Sequence, residues 1–180
     1  MNQRLFEIFY SLAYRNAFID FIWRFSAEYL PIILTILFVC LLVAEKNPHR
    51  RLYFLYLSIL SVVISSGIVS QIMRHFIESQ RPFVDSGVVT LIGRPGTPSM
   101  PSGHMMFFFP IALAAYYLNR KWRWYFILGI LLMGLARIVA GVHYPADILA
   151  GLIFSTGCFY LARYILGGGG VKENNSTLIS

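Results

Sequence analysis

Five apolar runs, separated by short polar turns, constrain this chain more than any other feature. They cover about residues 29–44, 52–73, 105–118, 124–142 and 148–166. A bilayer core takes about 20 apolar residues per crossing, and backbone at that depth must satisfy its own hydrogen bonds, which favours helices. The expected fold is therefore all-α, a polytopic helical membrane bundle with five to six transmembrane helices. The runs at 29–44 and 105–118 are short for a crossing, the latter unless its helix begins at Ser102. Composition agrees: 57% of residues are hydrophobic and 13% charged, well outside soluble averages.

Residues 1–26 differ from the runs. Leu5, Phe6, Ile8, Phe9, Leu12 and Ala13 recur at helical spacing, but Arg4, Glu7, Arg15, Asp20 and Arg24 interrupt them. This predicts an amphipathic or partly embedded helix and no cleavable signal peptide. Residues 1–166 form a single expected domain; 167–180, opening on glycines and ending polar, read as a disordered tail.

Loop charge orients the bundle. Lys46, Arg50 and Arg51 follow the first run, and Arg120, Lys121 and Arg123 follow the third. By the positive-inside rule both turns face the cytoplasm. The connections at about 74–104 and 140–147 then share the opposite, periplasmic or exterior face of the cytoplasmic membrane. A loop of about 30 residues is unusual unless functional. Within it, Val88–Ile92 could form a short strand or, in the preferred reading, an apolar lip at the membrane surface.

The formal net charge of +7 raises nucleic acid as a partner, but the cations are dispersed between apolar runs and build no stripe for a phosphate backbone. The expected partner at this level is the bilayer. Cys40 and Cys158 lie in apolar runs without metal-ligand spacing and read as packing residues. No metal or other cofactor is expected, because no carboxylate cluster exists to hold one. Oligomeric state leaves no mark in the sequence.

Ionisable residues in such a chain are costly and point to a functional site. Arg74, Arg81, Arg137, His104 and His143 converge on one face by the topology above, with Ser102 and Asp147. Arginine presents a planar fork that matches phosphate oxygens. Ser102-Gly103 at a helix start adds backbone N–H groups that favour the same ligand. His143 and Asp147 stand four residues apart with Pro145 between them. That spacing lets the carboxylate orient the imidazole and leave one nitrogen free as a nucleophile, with His104 as general acid. Taken singly, Arg74 or Arg81 could snorkel at the membrane edge and His104 could merely end a helix. His49 and His75 receive no role.

Arg74, six residues, then Arg81-Pro82; Pro101-Ser102-Gly103-His104; and Arg137, five residues, His143, three residues, Asp147 stand in this order. Over about residues 50–165 this resembles the type 2 phosphatidic acid phosphatase superfamily. The resemblance implies metal-independent hydrolysis of phosphomonoesters or diphosphates through a phosphohistidine. It implies His143 as nucleophile, Asp147 as its orienter and His104 as acid, with Arg74, Arg81, Ser102, Gly103 and Arg137 on the phosphate. Arg74 stands where the family usually has lysine, and Ala136 where a serine usually precedes the arginine. Asn16–Asp20, Ala27–Pro31 and Arg81-Pro82-Phe83 are also similar to the bacitracin-resistance type of undecaprenyl-diphosphate phosphatase. These residues read the phosphate and not the lipid tail, so phosphatidylglycerophosphate, phosphatidate or another lipid phosphate fits them too. A non-catalytic lipid-phosphate binding or transport protein would need the arginines but no oriented histidine.

Overall fold

The computed structural model describes residues 2–94, 96 and 98–167, and every regular element among them is helical. In chain order these are α1 (Asn2–Tyr10), α2 (Ala17–Glu28), α3 (Leu30–Ala44), α4 (Pro48–Val62), a π-helical segment (Val63–Val69), α5 (Ser70–Phe76), α6 (Pro82–Asp85), α7 (Gly103–Leu118), α8 (Arg123–Val139) and α9 (Pro145–Ile165). From α4 to α5 the chain is one rod of 29 residues, Pro48–Phe76. Most of the predicted tail, 168–180, lies outside the described residues.

Local chemistry explains the boundaries. The Asn16 side chain accepts from the Phe18 N–H at 2.8 Å. Asn47 accepts from the N–H groups of His49 and Arg50, with Pro48 preset in the first turn. The N-terminal segment is not one helix but two: Tyr14 takes a left-handed φ of 59° and Asn16 caps a new start. α1 docks beside the start of α9. Its buried Phe6 packs edge-on to Tyr144 at 5.2 Å, and Asn2 accepts from the Ala146 N–H at 3.1 Å.

α7 is the centre of the bundle, packed against α3, α4, α8 and α9. Met105, Leu57, Phe126, Ile130 and Phe159 fill the space between these helices and are fully buried. Cys158 is buried, whereas Cys40 faces outward, so the packing role expected of both holds only for Cys158.

Two helices, Pro48–Phe76 and Pro145–Ile165, are long and apolar enough to cross a membrane, and α2 with α3, bent by 47°, makes a third if the pair is one span. The chain is thus a membrane protein with fewer self-evident spans than its five apolar runs suggest. α3, α7 and α8, at 15, 16 and 17 residues, rise only about 23–26 Å, short of the about 30 Å hydrocarbon core.

The polar connections sort to two ends. Arg50 Nη2 donates to the Leu118 carbonyl at 2.6 Å, tying the basic turns together. At the other end the Leu91 N–H donates to the Ala140 carbonyl at 3.1 Å, joining the long loop to the turn before α9. Val88–Ile92 forms no strand. Nor is it a simple lip: Val89 is exposed, but Leu91 is buried against Val139, Ala140 and Val142.

Candidate active site

The site forms where the start of α7 meets the start of α9. Gly151 makes that approach possible, since a Cβ there would lie 2.5 Å from Met105 Cβ and 3.2 Å from the Ser102 carbonyl oxygen. With the helices so close, the Ser102 N–H donates to the Asp147 carbonyl at 3.1 Å. Ser102 Oγ then reaches Nε2 of His143 at 3.3 Å.

His143 precedes Pro145, the first residue of α9, and Asp147 occupies the third helical position. The carboxylate accepts from the Tyr144 N–H at 2.8 Å, as an acidic residue in a first turn readily does. The same oxygen lies 3.3 Å from His143 Nδ1. Both side chains are buried. Burial holds the His143 imidazole down at about 4, opposed by its hydrogen bond to Asp147 and reinforced by Arg137 and Arg81. At neutral pH the ring is therefore uncharged.

Three arginines surround it. Arg81, buried just before α6, points Nη1 at His143 Nε2 at 3.2 Å and donates to the Val142 carbonyl at 2.9 Å. Burial, then the nearby Arg74 charge, lowers it to about 10, so it remains a cation. Arg137, in the last turn of α8, donates Nη1 to the Ala27 carbonyl at 3.3 Å. That carbonyl is free because Pro31, four residues on, has no N–H to bond it. Arg74, at the end of α5, lies over Gly103, where a Cβ would come within 2.7 Å of Nη2. The Nε atoms of Arg74 and Arg137 are buried with no hydrogen-bond partner among the described residues. Beside Arg74 is a cavity of about 300 Å³ that Glu78, Ser79, Gln80, Val84 and Pro98 also line.

His104, second residue of α7, makes no side-chain hydrogen bond among the described residues but sits within the fields of Arg137, His143 and Arg81. Every residue singled out in the sequence thus lies in this region; Arg81, Ser102, His143 and Asp147 are linked by hydrogen bonds, and the other four flank them. Ser99 was missed. It is fully buried, and its Oγ lies 2.5 Å from Asp147 Oδ2 and 3.2 Å from His143 Nδ1. Its one sequence signal is its place in Pro98-Ser99-Met100-Pro101, a rigid approach to Ser102. Among the described residues no three His, Cys, Asp or Glu side chains gather to hold a metal ion.

A buried neutral imidazole, backed by a carboxylate and facing cationic forks, can take up a phosphoryl group. Fold and site together define a membrane-embedded helical protein with a cationic pocket suited to an oxyanion. Residues 55–168 match the PAP2 superfamily. The chain belongs to that superfamily, a group of lipid phosphatases. It is 32% identical over 157 residues to the undecaprenyl-diphosphatase BcrC of Bacillus subtilis, covering 85% of this chain and 78% of that one. Against the lipid A 1-phosphatase of Rhizobium etli it is 31% identical over 137 residues, 70% of this chain and 57% of the relative. The crystal structure of a transmembrane PAP2 type phosphatidylglycerolphosphate phosphatase from Bacillus subtilis superposes with a TM-score of 0.64 at 19% identity. That likeness covers 91% of this chain and 85% of the other and is one of fold.

Proposed function

We propose that this protein hydrolyses the terminal phosphate of undecaprenyl diphosphate through a phosphohistidine on His143. Its substrate phosphate is held by Arg74, Arg81, Arg137, Ser102 and the Gly103 backbone. His143 Nε2 attacks the terminal phosphorus, and the P–O bond to the lipid monophosphate breaks. His104 gives its proton to the departing oxygen. Water then attacks the phosphorus, the N–P bond breaks, His104 takes the water's proton, and inorganic phosphate leaves. No metal takes part, because three arginines meet the developing charge.

The observation that carries this reading is the division of labour on one imidazole: Nδ1 faces Asp147 at 3.3 Å, whereas Nε2 faces Arg81 at 3.2 Å. Simple binding of a lipid phosphate needs no oriented nitrogen, so this favours turnover over a silent binding protein. The choice of lipid rests on the likeness to BcrC, whose name states that substrate and which matches most of this chain.

The reading includes five crossings, by α3, α4 with α5, α7, α8 and α9, with local thinning of the bilayer for the shorter helices. The basic turns face the cytoplasm, and His143 faces the periplasm or cell exterior of a bacterial cytoplasmic membrane. The test is phosphate release by purified protein in detergent with excess chelator, from undecaprenyl diphosphate, phosphatidylglycerophosphate and lipid A in parallel. Preferred release from the polyprenyl substrate, lost in His143→Ala, is the expected result. Preference for a glycerophospholipid would overturn the substrate, full activity of His143→Ala the mechanism, and sensitivity to chelator the metal-free chemistry.

A further inference from the structure

We infer that Ser99 is a positioning residue that fixes which nitrogen of His143 carries the proton; this rests on the reading of His143 as nucleophile. A serine hydroxyl has one proton to give. Ser99 Oγ is 2.5 Å from Asp147 Oδ2 but 3.2 Å from His143 Nδ1. A carboxylate only accepts, and a charge-assisted bond is the stronger, so the Ser99 proton goes to Asp147. Toward His143 the hydroxyl can then only accept, and Nδ1 must bear a hydrogen.

The Asp147 oxygen is also crowded. Ser99 and the Tyr144 N–H reach it at 2.5 and 2.8 Å, ahead of His143 at 3.3 Å. The Nδ1 proton is thus shared between Asp147 and Ser99. Both bonds lock the ring with Nδ1 protonated, leaving the lone pair on Nε2, where Arg81 and Ser102 stand at 3.2 and 3.3 Å.

The backbone that carries this hydroxyl is itself held from the arginine loop. The Ser99 N–H donates to the Ser79 carbonyl at 2.9 Å, and the Met100 N–H donates to Ser79 Oγ at 2.7 Å. Ser79 lies between Arg74 and Arg81, so the segment that carries the phosphate forks also sets the imidazole's orientation. Ser99 is fully buried behind the imidazole, its hydroxyl on Asp147 and His143, and it acts through His143.

The test is Ser99→Ala in full-length protein, with kcat and KM for undecaprenyl diphosphate in micelles and ¹⁵N NMR of labelled histidine. The chain has four histidines, and subtraction of a His143→Asn spectrum isolates the one of interest. We expect kcat to fall about 10- to 100-fold, by analogy with the loss of an outer partner of a metal-bound imidazole, with KM within about threefold. The His143 signal should move from one tautomer to a mixture. Ser99→Thr, which keeps the hydroxyl, should restore both readouts. If Ser99→Ala does not fold, the comparison becomes Ser99→Thr with Ser99→Val, which differ by hydroxyl against methyl. Wild-type kcat and an unmoved tautomer in Ser99→Ala, or equal activity of Thr and Val, would overturn the inference while leaving His143 as nucleophile. Activity in His143→Ala would instead remove the reading beneath it.

Discussion

The hydroxyl of Ser65, in the π-helical segment, donates to the carbonyl of Met106 in α7 at 2.7 Å. That oxygen needs a donor from outside its helix, because Pro110, four residues on, offers no N–H. Both groups are buried, so an orphaned carbonyl would carry its full desolvation cost. Ser65→Ala is therefore expected to destabilise the protein by about 1–3 kcal/mol, read as a lower unfolding midpoint in detergent. In a Pro110→Ala background the new N–H can bond Met106, and the same substitution should cost much less. Equal losses in the two backgrounds would show that the pair is not coupled.

Two glycines should fail in different ways. Gly103→Ala directs its Cβ at the far end of Arg74, a flexible side chain 2.7 Å away. The fold should survive with a near-native Tm, while displacement of the guanidinium raises KM. Gly151→Ala meets Met105 Cβ at 2.5 Å and the Ser102 backbone at 3.2 Å, neither of which can step aside without moving α7. It should lower Tm, by overpacking worth about 1–3 kcal/mol, and activity together. A normal Tm for Gly151→Ala would refute the close α7–α9 contact.

Asp147→Asn should keep the fold but lose about 10³- to 10⁴-fold in kcat, the loss typical when an imidazole's carboxylate partner becomes an amide that can favour the wrong tautomer. A rapid-quench assay for acid-labile phosphoprotein should show slower formation of the phosphorylated enzyme. Turnover within tenfold of wild type would mean that the carboxylate does not orient His143.

The depressed His143 pKa sets a pH dependence. Its folded value of about 4 lies below the ordinary 6.5, so Nε2 stays available as pH falls through 6.5. The acid limb of kcat/KM assigned to this residue should appear only toward pH 4. The unfolded chain binds the extra proton between about 6.5 and 4, so stability contributed by the buried neutral ring is present above 6.5 and drains away across that window. Denaturation midpoints measured from pH 7 to pH 4 should fall, with a shallower slope in His143→Gln. An acid limb centred at 6.5 that disappears with substitution of His143 would contradict the burial.

Much of this architecture was legible because apolar runs, basic turns and spaced motifs are one-dimensional signals. α9, for example, begins on Pro145, between His143 and Asp147 and suited to a first helical turn, three residues before the apolar run at 148–166. The missed features depend on contacts made through space. The break at Tyr14 turns on one left-handed residue with no glycine to mark it. Phe6 looked like any apolar position of an amphipathic helix until Tyr144 packed against it. Ser99 carried no charge and no unusual spacing, and only its meeting with Asp147 gives it a task. Pro31 stands plainly in the sequence, but that it frees the Ala27 carbonyl for Arg137 does not.

The docking of Asn2 against Ala146 puts the first described residues beside the start of α9, whereas Ile165 closes the far end of the same 21-residue helix. The two ends of the described chain therefore emerge at opposite poles. A tag fused before Asn2 would stand beside Tyr144 and Ala146, next to His143, whereas the far end of α9 lies about 30 Å along the helix from there. For anyone reconstituting the protein or tethering it to a support, attachment at the Asn2 end is therefore the one that adds bulk next to the candidate site.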